Sequence, residues 1–350
     1  MKFLHCADLH LSQKEKEYSL SVLEEIVYIA AKEHSTLIFA GDTFDSFEDL
    51  EILRSEFRKQ IGTLKTEILF IPGNHERLKG GKRSIKNLDL GNIICTDTSP
   101  QVHTVEDTEF LLIPFMDNYN TYREWDLPEK IKACRVAVIH GSVSGMTYIW
   151  SEGEEETTAA IDCDLFDKLK VDYAALGHIH IPKKEKAGKT LLCYPGSSRV
   201  WRKGEEGKRQ VILVDTLPEL TLREIPLENA GEYRFVNLNL DSLEELSQFF
   251  PGPKDYVEIS LCGVTDNEAL AEAAEKRVRE NLKKRVRVLE VERSRVIILE
   301  EMSRYPVVKR FLELWRGKKP GDSSRETLEA WQRARDLGIL KMKEIIEAGR

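Results

Sequence analysis

The stretch YAALGHIH, Tyr173 to His180, is a run of small and apolar residues that stops in two histidines around one isoleucine. A strand buried on both faces has this texture, and its side-chain period of two sends His178 and His180 the same way. Taken alone, the pair is either two hydrogen-bonded histidines capping a core strand or part of a metal site. Four more apolar runs end alike: KFLHCADLH in Asp8 and His10, TLIFAGD in Asp42 with Asp45 beyond, EILFIPGNH in Asn74 and His75, and RVAVIHG in His140. Active sites of open α/β sheets gather at the carboxyl ends of strands, so these groups are expected to converge. The inventory is three oxygen donors, Asp8, Asp42 and Asn74, and four imidazoles, His10, His140, His178 and His180. That set exceeds one tetrahedral zinc and suits two ions with one carboxylate bridging; mixed oxygen and nitrogen donors favour manganese, iron or a zinc-containing pair over magnesium alone. Two such ions neutralise phosphate oxygens and activate water for in-line displacement, so the implied chemistry is phosphoester hydrolysis.

The ordered set DxH, GDxxD, GNHE, HG and GHxH resembles the calcineurin-like metallophosphoesterase superfamily. The resemblance implies Asp8, His10 and His180 on one metal, Asn74, His140 and His178 on the other, and Asp42 bridging. It also implies that His75 faces the scissile phosphate, where it would stabilise the transition state or protonate the leaving oxygen. His5, His34 and His103 lie outside the motifs and read as structural or surface residues. Two positions depart from the pattern: Glu76 replaces the aspartate usual after GNH, and Asp45 stands where some nuclease members carry a second histidine.

The elements that must carry these groups alternate apolar runs with amphipathic segments over residues 1 to 227. SLSVLEEIVYIAAKEH and LEILRSEFRKQIGTL show helical spacing, and the order predicts an α/β fold with a mixed or doubled sheet and helices outside. For the resembled family this is a two-sheet metallophosphoesterase sandwich flanked by helices. Residues 228 to 299 read as a compact βαβαβ cap, with capping-box spacing at Ser242/Glu245 and Thr265/Glu268. Residues 300 to 350 read as a helix-loop-helix, with Pro306 near one helix start and Ser323/Glu326 offering another capping box. The chain of 350 residues, 41% hydrophobic, is long enough for a large domain and small additions. Its six cysteines are scattered and never in a CxxC pair, so they read as reduced, buried hydrophobes. No apolar stretch is long enough to span a bilayer and Met1 leads straight into a strand, which points to the cytoplasm and to no membrane partner.

The substrate is argued from the rest of the chain. The opening KFLHCADLHL, the run EFLLIPF, GHIH followed by LLCYPGSS, and the cap with its helix-loop-helix together resemble the SbcD type of DNA double-strand-break repair nuclease. That likeness implies a two-Mn(II) exonuclease and endonuclease acting on DNA, residues 300–350 docking on the coiled coil of an SbcC-type, SMC-like ATPase, and a homodimer formed through helices of the phosphoesterase domain. Net charge is −8, yet from Lys276 to Arg295 nine basic residues face three acidic ones. Such a cluster is either a phosphate-binding face or a solvated helix face laced with ion pairs. Arg199, Trp201, Arg202 and Lys203 are further candidates for backbone contact or base stacking, and Phe311, Leu312, Trp315, Leu328 and Trp331 for the docking face. The acidic run SEGEEETT, 151 to 158, reads as a mobile loop near His140. Two other readings stand beside the nuclease: a phosphoesterase for a small nucleotide or nucleotide-linked substrate, which needs a closed pocket, and a non-catalytic DNA-binding scaffold with structural metals.

Overall fold

The computed structural model describes residues 1–76, 85, 88–146, 148, 160–321 and 324–348; the acidic run at 151–158 and Ser323 lie outside these. The chain divides into two compact units, Met1–Tyr233 and Arg234–Arg350.

In the first unit β1 (Lys2–Cys6), α1 (Lys16–Glu33), β2 (Thr36–Ala40), α2 (Phe47–Ile61), β3 (Ile68–Ile71) and β4 (Ile94–Cys95) form an alternating series. There follow β5 (Gln101–Val105), β6 (Thr108–Ile113), β7 (Cys134–His140), α3 (Asp164–Lys168), β8 (Tyr173–Gly177), β9 (Lys183–Ala187) and β10 (Thr190–Tyr194), then β11 (Gly207–Lys208), β12 (Gln210–Asp215) and β13 (Thr221–Pro226). Two sheets result, in the orders β13-β12-β1-β2-β3-β4 and β5-β6-β7-β8-β10-β9. Within them β1, β2, β3 and β4 run parallel, as do β6, β7, β8 and β10.

Strict alternation in the buried strands builds the sandwich. Phe3, Ile38, Leu69 and Ile71 of the first sheet meet Phe110, Leu112, Val136, Val138 and Ala175 of the second in one core. The intervening residues Leu4, Leu37, Phe39 and Phe70 turn outward against Val22, Leu23 and Ile26 of α1 and Leu50, Leu53 and Phe57 of α2. Those helix residues recur three and four apart, the stripe a sheet-facing helix needs. The second sheet is covered on its far side by Tyr119, Tyr122, Ile161, Leu165 and Phe166. This is the two-sheet α/β sandwich expected from the sequence, with β1, β2, β3, β7 and β8 ending at the motif residues.

The second unit takes in β14 (Glu232–Asn239), which starts at the last residues of the first, then β15 (Tyr256–Thr265), α4 (Glu268–Leu282), β16 (Val288–Ile298), α5 (Leu299–Met302), α6 (Pro306–Arg316) and α7 (Arg325–Ala348). β15 and β16 pair in parallel, with Val278 and Leu282 of α4 packed over Val257, Ile259 and Leu261. The first helix expected in the βαβαβ cap, at the Ser242/Glu245 capping box, is a 3-10 helix, Leu240–Gln248, broken by a non-helical Ser242 (φ −123°). Its cap is Asn239, not Ser242. Likewise α4 is capped by Asn267, whose side chain accepts from the Leu270 amide at 3.1 Å, while Thr265 still belongs to β15. β14 ends at Asn239 while β15 runs on to Thr265, and in each place the asparagine at the strand's exit captures a free amide. α6 and α7 pack Val308, Leu312 and Ile339 onto Val264, Ile297 and Met302.

Among the described residues no helix is long and apolar enough to cross a membrane. Cys6, Cys134 and Cys193 are buried, Cys95, Cys163 and Cys262 partly so, and all are free thiols.

Candidate metal centre

Each motif follows a strand end, and the backbone there is bent back on itself. Asp8, His10, Asp42 and His178 have φ of 50°, 48°, 46° and 99°, the left-handed region that side chains other than glycine rarely occupy. Local bonds hold it: the Asp8 amide donates to Gly41 O (3.1 Å), the His10 amide to Asp42 O (3.0 Å), and the His178 amide to both Asp8 carboxylate oxygens (3.0 Å each). Two glycines permit the crowding. A Cβ on Gly41 (φ +89°) would stand 2.2 Å from His140 Nδ1, and one on Gly73 would stand 2.1 Å from Asp42 Oδ1, distances no side chain tolerates.

Two buried candidate ligand clusters form, besides a third, partly exposed group of His10, Asp45 and His75. Asp8, His10 and His180 bring donor atoms within 4.8 Å of one another, and so do Asp42, His140 and His178. All six are buried. Asn74 joins the second cluster, its Oδ1 3.0 Å from His140 Nε2. His75 is placed beside them by its amide, which donates to Asp42 Oδ1 at 2.9 Å, and by its ring, which lies edge-on to His10 at 4.8 Å. His75 Nδ1 donates to the Asp45 carbonyl at 2.9 Å. A carbonyl only accepts, so the Nδ1 proton is fixed and Nε2 is the nitrogen left for chemistry.

The donor chemistry fits cations. His140 Nδ1 donates to Ala40 O at 3.0 Å, so in the neutral ring Nε2 is a lone pair, yet it faces Asn74 Oδ1 at 3.0 Å and Asp42 Oδ2 at 3.2 Å. Acceptors converge on that point, and a proton or a metal ion must lie among them. In the first cluster His10 Nε2 and His180 Nε2 are 3.3 Å apart, close enough to share a proton or a cation. Without an ion, burial lifts the Asp8 carboxyl to about 7, with Asp42 adding to the rise and His140 and His180 opposing it. Burial pushes Asp42 up as well, but the neighbouring charge and hydrogen bond of His140 hold it below the usual carboxylate range. Burial alone would lower His140, and Asp42 and Asp8 reverse this to about 9. A site that strips water from carboxylates and leaves only imidazoles to neutralise them is built to gain from divalent cations.

Residues beyond the seven candidate donors complete the centre. Glu76, fully buried, accepts from the Phe44 amide through Oε1 (2.9 Å) and from the Gly73 amide through Oε2 (2.8 Å), tying the Asp42 loop to the Asn74 loop. Trp201 stacks on His10 with centroids 3.6 Å apart and planes 8° from parallel. The Arg202 guanidinium covers the Trp201 ring at 3.8 Å. Two groups that close must take opposite faces, so Trp201 has no face for a nucleic-acid base; it is a wall of the site instead. Arg199 is buried too and donates to Leu9 O and His10 O. Glu205, fully buried, accepts from His180 Nδ1 at 2.6 Å. Its motif-free setting, WRKGEEGK, carried no signal, because only the fold brings it under His180. Of the three histidines read as structural or surface, His5 is buried with Nδ1 3.0 Å from the Tyr173 hydroxyl, His34 ends α1 in the left-handed conformation, and His103 pairs with Glu67 at 3.2 Å.

With a two-sheet sandwich and paired Asp/His clusters at its strand ends in view, residues 1–182 match the calcineurin-like phosphoesterase family, and the chain belongs to it. It is a phosphoesterase hydrolase of a family with a dinuclear metal centre. Among curated proteins it is 26% identical over 275 residues to the SbcD subunit of the nuclease SbcCD of Bacillus subtilis, covering 65% of this chain and 70% of that protein. It is 24% identical over 243 residues to the uncharacterized metallophosphoesterase YhaO of the same organism, covering 61% of this chain but only 57% of YhaO. Among solved structures, TT1561 of Thermus thermophilus aligns over 65% of this chain and 99% of its own, at 12% identity and a TM-score of 0.41.

Proposed function

We propose that the chain is a DNA nuclease that hydrolyses phosphodiester bonds with two divalent transition-metal ions, Mn(II) in this reading, and serves double-strand-break repair with an SbcC-type ATPase. The observation that carries it is the pair of adjacent buried donor clusters with His75 beside them. Asp8, His10 and His180 would hold one ion, Asn74, His140 and His178 the other, with Asp42 bridging. Bound there, the ions supply Lewis acidity to the phosphoryl oxygens and lower the pKa of an attacking water. His75 is the catalytic residue: with Nδ1 tied to Asp45 O, it offers Nε2 to the phosphate or the departing oxygen.

The DNA half of the reading is supported by the likeness to a nuclease subunit and by the second unit, taken as a DNA-binding cap over 228–299. Some of its basic run is spent internally: Arg279 pairs with Glu275 at 2.8 Å, and Arg293 with Glu268 at 2.5 Å and Glu275 at 2.7 Å. Arg277, Lys283 and Lys284 are exposed and their side chains make no hydrogen bond or ion pair with described residues, leaving them for phosphates. Residues 300–350 would dock the ATPase. The aromatic residues named from the sequence are largely used within the hairpin, where Phe311, Trp315 and Trp331 stack in series at 5.4 and 5.6 Å. The outward face is instead Val307, Leu314, Leu337, Leu340 and Ile345. Exposed Tyr28 on α1 and Ile52 on α2 suit a homodimer.

The test is cleavage of single- and double-stranded DNA and of a chromogenic phosphodiester by the purified chain, with and without Mn(II), alongside His75→Ala. Metal-dependent DNA cleavage that disappears in the variant with bound metal unchanged supports the nuclease. Hydrolysis of the small diester with both DNA forms intact, even with an SbcC-type partner present, transfers the assignment to a small-nucleotide phosphoesterase. Silence towards all three leaves the DNA-binding scaffold.

A further inference from the structure

We propose that Glu205 and Asp45 are positioning residues for one of the two cations, each orienting through Nδ1 the imidazole whose Nε2 would ligate it. The inference rests on the ligand reading above, in which Asp8, His10 and His180 hold one ion.

His180 Nδ1 donates to Glu205 Oε1 at 2.6 Å. His10 Nδ1 lies 3.3 Å from Asp45 Oδ1; both atoms are buried and neither makes a hydrogen bond, so the carboxylate is the nearest acceptor that Nδ1 has to turn to. An ionised carboxylate only accepts, so His180 carries its proton on Nδ1 and a lone pair on Nε2, and the carboxylate beside His10 favours the same tautomer there. The two Nε2 atoms face each other at 3.3 Å; with Nδ1 protonated in both rings, a shared cation is what satisfies the two lone pairs. A carboxylate behind a ligating imidazole fixes its tautomer and raises its basicity.

Glu205 is built for this role rather than for balancing a neighbouring arginine. Arg209 Nη1 is 3.9 Å from Glu205 Oε2 and donates instead to Ser197 Oγ at 3.0 Å and His180 O at 3.2 Å. Oε2 is occupied by the Trp201 amide at 2.8 Å and the Ser197 hydroxyl at 3.2 Å, which leaves Oε1 aimed at His180. Since Trp201 also stacks on His10, the loop after β10 orders both imidazoles of the cluster. Asp45 sets its carboxylate near His10 and binds His75 Nδ1 through its carbonyl.

The experiment is titration of the metal-free full chain with Mn(II), reading free Mn(II) by electron paramagnetic resonance, for wild type, Glu205→Gln, Asp45→Ala, His180→Ala and His178→Ala. Glu205→Gln and Asp45→Ala are expected to weaken one bound Mn(II) by about 10–100-fold and leave the other unchanged. In the His178→Ala background the remaining ion still feels Glu205→Gln; in the His180→Ala background it does not. A merely structural role would weaken both ions in either background and overturn the proposal, as would full affinity in both single variants. Asp45 is partly exposed, so Asp45→Ala carries the test if Glu205→Gln fails to fold. If His180→Ala and His178→Ala each retain two ions, the ligand reading itself has failed, a result distinguishable from the failure of positioning alone.

Discussion

Left-handed backbone at Asp8, His10, Asp42 and His178 costs of order 1 kcal/mol per residue, and surrounding bonds must over-determine it. Glu76 is one of those determinants. Glu76→Ala strands the amides of Phe44 and Gly73, and each buried orphan costs about 1–3 kcal/mol; urea unfolding should show a clear fall in midpoint, and equilibrium dialysis a loss of bound metal. The aspartate usual at this place has a shorter reach, so the substitution noted in the sequence is a built spacing between two loops. His5 gives a pH test away from the metals. Burial holds it at about 3, against an ordinary 6.5. The unfolded chain therefore takes up the proton first, and this contribution to stability falls as pH drops from 6.5 towards 3, by up to about 1.4 kcal/mol per pH unit. His5→Gln should flatten that part of a stability–pH curve measured by chemical denaturation; an unchanged slope would show that other groups set it.

At the scale of elements, the periodic helices were the most legible. The stripes of α1 and α2 are visible in the sequence because sheet-facing helices must repeat their apolar residues at 3.6. The caps were not, because serine and threonine at capping-box spacing compete with asparagines whose role depends on where the preceding strand stops. Asn267→Ala is expected to cost about 1 kcal/mol, read as a lower unfolding midpoint, whereas Ser242→Ala, outside any cap bond, should be close to neutral. Short or charged edge strands such as β9, KKEKA, also lack a signal: pairing with β10 comes from the sheet, not from propensity.

For the whole molecule, α7 has two apolar sides. Ile339 is fully buried while Leu337 and Ile345 are 66% and 71% exposed. Leu337→Asp with Leu340→Asp should leave thermal unfolding within about 0.5 kcal/mol of wild type and, on the proposed docking, abolish co-purification with an SbcC-type ATPase; Ile339→Asp should unfold the second unit. Chelation is expected to remove phosphodiester hydrolysis, with Mn(II) restoring it, measured on the small diester.

The sequence by itself determined the family and the strand-end motifs with their seven candidate donors, because metal chemistry demands particular side chains and parallel strands place them at one end. Only the tertiary structure decided what stands behind them. Glu205 lies twenty-five positions from His180 and Glu76 spans two loops; their partners are backbone amides and ring nitrogens, which every sequence possesses. Trp201, legible as a stacking platform, has both faces taken by His10 and Arg202. Ligands are specified by residue type, whereas supporting contacts are specified by proximity, and proximity exists only once the chain has folded.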